Sequence, residues 1–213
     1  MTPEPIADES PFFTVWEAPR ETIRHLVATD PRRGVNWLFF AAGAVGGLDA
    51  ASRWAQTWDV PPYVVPLACV AVGLLGIPTG HANAWYKRWV GSLLGGTATQ
   101  SQVAAASAWA GVPVIAGNGG LWLVRIGLYG RELFSTEHPT LDAASRLVGI
   151  TFNLAAALFA VWAVVISVAA FAEVNRFSIL RSIATSILAA VIVATVAAVL
   201  LVALFVVAGA MRG

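Results

Sequence analysis

The chain has 213 residues, of which 58% are apolar and only 12% charged. A soluble domain carries about 25% charged residues, so this chain lacks the polar surface to cover a water-soluble globule and reads as one membrane domain. Its net charge of +1 gives no bulk attraction for nucleic acid. Its single cysteine, Cys69, excludes an intramolecular disulfide and reads as a buried thiol in an apolar stretch.

Residues 1–33 form a cytoplasmic N-terminal segment, and residues 34–213 a transmembrane domain. The first ten residues carry Glu4, Asp8 and Glu9, which suits a disordered acidic stretch and not the basic start of a signal peptide. Insertion is therefore expected to use the spanning helices themselves. Phe12, Phe13 and Trp16 then lead into a short helix. Pro19 fits its first turn; Ile23, Leu26 and Val27 share one face, and Arg20 and Arg24 another. Such a helix lies on the cytoplasmic leaflet or packs on the protein's own loops. Asp30-Pro31 reads as N-cap and first residue of the first spanning helix.

A helix needs about 20 mainly apolar residues to cross a bilayer. Five stretches meet or approach this: residues 34–51, 61–86, 102–128, 147–171 and 180–211. The expected fold is all-α, a polytopic membrane bundle of five transmembrane helices plus an N-terminal amphipathic interfacial helix. The third stretch is the weakest, interrupted by Pro113 and by Gly117-Asn118-Gly119-Gly120; a re-entrant segment is its alternative. Pro78 and Pro113 each remove a helical hydrogen bond, so helix breaks or kinks are expected there. Thr99 and Gln102 have capping-box spacing, and Ser178 suits the cap of the last helix.

With a cytoplasmic N-terminus, eight basic residues (Arg20, Arg24, Arg32, Arg33, Lys87, Arg88, Arg176 and Arg181) lie inside. Five (Arg53, Arg125, Arg131, Arg146 and Arg212) lie outside. The excess favours an N-in, C-out protein of the cell membrane. Trp54, Trp58 and Tyr63 mark one interface, and Trp85, Tyr86 and Trp89 the other. Lys87 is the only lysine; the other twelve of the 13 Lys and Arg residues are arginines.

Catalytic spacings are missing: there is no His-Glu-x-x-His, no cysteine pair, no Gly-x-Ser-x-Gly and no phosphate loop with lysine. His25, His81 and His138 fall in three separate regions. The expectation is therefore no enzyme, no metal and no cofactor. What remains is a set of polar residues at membrane depth: His81 and Asn83 after Pro78, Asn118 in the third stretch, Asn153 in the fourth, and Glu173 at its cytoplasmic end. Such groups line a polar pathway or tie helices together. Glu173 has Arg176 one turn on as its expected partner. His81 is expected in a filled side-chain contact. Asn83, two residues on, converges with it only if the helix unwinds after Pro78. Gly43/Gly47, Gly76/Gly80 and Gly91/Gly95 let backbones approach closely, within the monomer or at a homodimer face.

Several segments resemble the Yip1 family, as seen in its prokaryotic members. Trp85-Tyr86-Lys87-Arg88-Trp89, Gly95-Gly96-Thr97 and Ala108-Trp109-Ala110-Gly111-Val112-Pro113 match a helix end, a Gly-Gly turn and an Ala-Trp-Ser-x-x-Pro-like segment, with Ala110 in place of the serine. Phe13-Thr14-Val15-Trp16-Glu17-Ala18-Pro19-Arg20-Glu21-Thr22-Ile23 resembles the family's entry. Ala172-Glu173-Val174-Asn175-Arg176-Phe177-Ser178 resembles the loop before its last helix. The resemblance implies five transmembrane helices and a cytoplasmic N-terminus. The eukaryotic members' association with vesicle budding, Golgi organisation and Rab-type GTPases is not carried over to a chain that resembles the prokaryotic members, and no catalytic residue is carried over.

Two function classes fit these features. The first is a non-enzymatic protein that organises membrane lipid or partner proteins, as a homo-oligomer or with another membrane protein. The second is a small transporter or channel with a polar site near the breaks in helices two and three.

Overall fold

A computed structural model describes residues 10–55, 57–58, 61–134 and 143–210. The acidic residues 1–9, His138 and Arg212 lie outside the described residues. The described residues form helices and their connections, with no strand among them. The order is α1 (Pro11–Glu17), α2 (Pro19–Thr29), α3 (Val35–Ala55), α4 (Val64–Leu93), α5 (Gln100–Ala110), α6 (Val112–Tyr129), a 3-10 turn at Gly130–Phe134, α7 (Ala143–Asn175) and α8 (Ile179–Ala210).

Among the described residues four stretches are long and apolar enough to cross a membrane: Val64–Leu93, Gln100–Tyr129, Arg146–Asn175 and Ile179–Leu204. The first predicted span, now α3, is not among them: its 21 residues include Asn36, Asp49 and Arg53 and several glycines, which lower its apolarity. Apolar side chains cover the outside of α7 and α8, among them Leu154, Leu158, Val161, Leu180, Leu200 and Leu201. Trp54, Trp58 and Tyr63 are exposed at one end of the α3–α4 pair, and Trp85 and Trp89 at the other.

The third predicted span is a single 30-residue apolar stretch with a shallow interruption at Gly111, which ends α5 and precedes α6. Pro113 falls in the first turn of α6, where it removes no internal hydrogen bond. The Gly117–Gly120 run does not interrupt anything: α6 is helical throughout it. Gly117 instead receives the Phe159 ring of α7. Pro78 likewise lies inside one continuous helix and does not break it. Thr79 Oγ1 donates back to the carbonyls of Leu75 (2.7 Å) and Gly76 (3.2 Å), a turn earlier on the same helix.

The α3–α4 pair is antiparallel and glycine-packed. A Cβ on Gly43 would lie 2.9 Å from the Gly73 Cα, and one on Gly47 would lie 2.7 Å from the Cys69 Cα. The Phe39 ring covers Gly80, and the Phe40 ring covers Gly73. The small-residue spacing therefore serves packing within the chain at this pair.

The central element is α5. Val103, Ala104, Ala105, Ala106, Ala108, Trp109 and Ala110 are all buried, and α5 touches α2, α3, α4 and α7. Its alanines let the surrounding helices approach, and Trp109 Nε1 donates to the Arg33 carbonyl (3.1 Å). The predicted capping box forms: Thr99 N donates to Gln102 Oε1 (2.8 Å), and Gln102 N donates to Thr99 Oγ1 (3.4 Å). Ser178 Oγ likewise accepts from Arg181 N (3.3 Å) at the start of α8.

Asp30 departs from its expected role. It closes α2 as C-cap, and its Oδ1 accepts from Arg32 N (2.9 Å). A turn through Gly34, at φ +69°, then delivers the chain to α3. The aspartate makes an Asx turn between two helices, so α3 starts at Val35 and not at Pro31.

Candidate functional site

The N-terminal helices pack on the protein. Val15, Ile23 and Leu26 are fully buried in one core with α5 and α7. Thr22 Oγ1 donates to Thr14 Oγ1 (2.9 Å) and ties α2 to α1. Arg20 and Arg24, one turn apart, then reach Glu173 near the end of α7. Arg24 Nε lies 2.7 Å from Oε1, and Arg20 Nε lies 3.3 Å from Oε2. The expected partner of Glu173, Arg176, is instead past the helix end at φ +56°. The last turn closes there, with Phe177 N donating to the Ala172 carbonyl (2.8 Å), which carries the Arg176 side chain off the Glu173 face. The hydrogen bond to Glu173 holds the Arg24 pKa above its ordinary value. Since α2 anchors at the Glu173 end of α7, it lies across that end of the bundle.

His81 lines a cleft of about 570 Å³ at the same end, with Pro31, Arg32, Asn36, Thr99 and Gln100 among its walls. Its Nε2 lies 2.8 Å from Asn36 Oδ1, an amide oxygen that accepts from the ring N–H. Phe39 meets the imidazole edge-on at 5.3 Å. Gln100 Nε2 donates to the His81 carbonyl (3.1 Å), while Gln100 Oε1 is buried without a partner among the described residues. The contact is therefore not the filled one expected. One face of the ring is held, and the ring borders open space. The walls include no carboxylate and no thiol, so the cleft offers hydrogen-bonding groups and one guanidinium, and nothing to accept a proton from a reacting group except the imidazole itself.

The other predicted site residues lie elsewhere. Because α4 stays helical after Pro78, Asn83 projects away from His81 and lines a different groove, with Lys87. Asn118 turns its Oδ1 into the protein, where it is buried without a described partner. Asn153 is exposed on α7. Glu173 belongs to the α2 clamp. The five residues His81, Asn83, Asn118, Asn153 and Glu173 therefore do not form one cavity. Among the described residues no three His, Cys, Asp or Glu side chains are placed to hold a metal ion.

Sequence reading missed three partners: Asn36 and Gln100 beside His81, and Asp49, which accepts from Trp122 Nε1 (3.0 Å). No spacing gave a clue to these pairings: the observed register sets Gly43 beside Gly73 and Gly76 and Gly47 beside Cys69, which pairing the glycines of α3 with Gly76 and Gly80 does not predict.

Searches of curated proteins and of solved structures found no match. The family model described as the Yip1 domain matches residues 13–210. That range takes in α2, the Glu173 clamp, the His81 cleft and every apolar helix, and the chain belongs to the Yip1 family of multi-pass membrane proteins.

Proposed function

We propose that this Yip1-family chain is a non-enzymatic protein of the cell membrane that organises membrane lipid or partner proteins. The observation that carries this reading is the way its polar groups are spent. Arg20, Arg24 and Glu173 hold α2 on the bundle, Asn36 holds His81, and Asp49 holds Trp122. These contacts fix elements to each other, and among the described residues the predicted polar groups do not share one cleft. A transport role for His81 would draw on Asn118 or Asn153, and neither lines its cleft.

In this reading α3 is the fifth span. Its 21 residues reach about 31 Å as a helix, close to the hydrocarbon thickness. It packs along α4 by glycines, and its Asp49 is hydrogen-bonded by Trp122. Five crossings with the basic excess inside give a cytoplasmic N-terminus and an external C-terminus, with α2 on the cytoplasmic side, where a partner protein or a second copy would meet it.

Reconstitution tests the role. Liposomes containing the purified protein should stay tight to ions and small polar solutes, and the protein should carry lipid through purification. A saturable solute flux that is lost in His81→Leu would overturn the reading in favour of transport.

A further inference from the structure

A second groove lies between α4, α5, α7 and α8, well apart in composition from the His81 cleft. It encloses about 490 Å³. Asn83 and Lys87 line it from successive turns of one face of α4. Lys87 is the only lysine in the chain, and it makes no hydrogen bond or ion pair with any described residue. Neither do the side chains of Asn83, Ser107 and Ser167, which also line the groove. Tyr86 closes one side, its hydroxyl donating to the Ala189 carbonyl (2.6 Å).

The lining is graded. Lys87 sits six residues from the end of α4, about 9 Å along the helix, between the exposed Trp85 and Trp89 that mark the interface. Farther from the α2 end, the walls become Val164 of α7 and Val193 and Ala194 of α8. Asn83, Ala190, Val193 and Ala194 are exposed, so the groove opens sideways along the helices. A cation at headgroup depth leading into an apolar slot has the polarity of a phospholipid lying in the leaflet. An unpaired ammonium in that setting is costly and is relieved by an anion that arrives with its own apolar tail.

We propose that this groove holds one anionic phospholipid from the leaflet on the α2 side. Its phosphate meets Lys87, with Asn83, Ser107 and Ser167 as further hydrogen-bonding groups, and an acyl chain lies along Val164, Val193 and Ala194. The inference rests on α4, α7 and α8 spanning the membrane and not on the organising role.

The full-length protein is purified in detergent and exposed to equal amounts of phosphatidylglycerol and phosphatidylcholine, and the retained lipid is read by native mass spectrometry. The wild type should retain phosphatidylglycerol about tenfold over phosphatidylcholine. Lys87→Met should bring the ratio near one, and Lys87→Arg should keep it. Ala190→Phe, which narrows the groove without changing charge, should lower retention of both lipids and covers the case of a poorly folded Lys87→Met. Excess inorganic phosphate should not displace the lipid. Equal retention of both lipids by the wild type would overturn the proposal, as would an undiminished preference in folded Lys87→Met or displacement by phosphate alone. So would a dimer that Ala190→Phe dissolves with no change in lipid. These readouts turn on which lipid is kept and on Lys87, not on solute flux or on whether lipid is carried at all, so this proposal and the organising role fail separately.

Discussion

Glu173 illustrates how one carboxylate places a whole element. Its two oxygens each take one arginine from successive turns of α2, while the carboxylate itself is largely shielded and the Arg24 side chain is 65% exposed. Ion pairs with exposed partners are worth a few tenths to 1 kcal/mol each. Glu173→Gln is therefore expected to cost about 1 kcal/mol and to act locally: amide exchange in α2 should speed up while the α3–α4 pair is unchanged. Exchange in α2 identical to that of the wild type would show that its buried Val15, Ile23 and Leu26 contacts suffice. His81→Leu removes the hydrogen bond to Asn36 (2.8 Å), worth about 1 kcal/mol. Because Asn36 is exposed its amide is not stranded, and a small loss of thermal stability with no change in liposome tightness is the expected outcome.

At the scale of elements, the glycines fall into two groups that the sequence alone does not separate. Gly43 faces the backbone of α4, where no rotamer change can make room, so Gly43→Val should cost about 1–3 kcal/mol by overpacking or push the two helices apart. Gly127 has nothing within 4 Å of a built Cβ, and Gly127→Ala should stabilise α6 by about 0.5–1 kcal/mol through helix propensity. Melting of the purified proteins in detergent checks both, and equal effects at the two positions would contradict the packing assigned to α3 and α4. The central α5 makes the complementary point. It is rich in alanine because four helices converge on it, whereas α8, with few buried residues, carries the long Leu and Val side chains that face lipid. In water this distribution would be inverted; in a bilayer, close approach and not apolarity is what holds helices together.

At the scale of the molecule, the apolarity of α3 decides how many times the chain crosses the membrane. If α3 crosses together with the four strongly apolar stretches, a reporter fused after the last residue should be external and one fused before Pro11 cytoplasmic. Reporters on the same side would mean an even number of crossings and would place α3 along the interface. The pairing of α3 with α4 by glycines and the Asp49–Trp122 hydrogen bond argue for a crossing helix, since both contacts spread along its length.

The positions of the apolar helices, the α2 helix, the Thr99 capping box and the Ser178 cap were legible in the sequence because each depends on residues within a turn or on a run of apolar side chains. Two local readings changed once packing was seen: Pro78 does not break α4, which is helical on both sides of it, and the Gly117–Gly120 run packs on Phe159 and α3 without unwinding. Asp30 failed for a local reason, since an Asx turn and an N-cap use the same side chain. The candidate site was less legible. His81, Asn83, Asn118, Asn153 and Glu173 could be singled out as polar groups at membrane depth, but their grouping could not. The sequence by itself determined the four stretches that are long and apolar enough to cross a membrane among the described residues, because burial in lipid is a property of each segment's own side chains. Only the tertiary structure decided which polar groups meet, because the packing of α3 on α4 sends His81 to Asn36, that of α2 on α7 sends Glu173 to Arg20 and Arg24, and the crossing of α4, α5, α7 and α8 places Lys87 in a groove with no partner among the described residues.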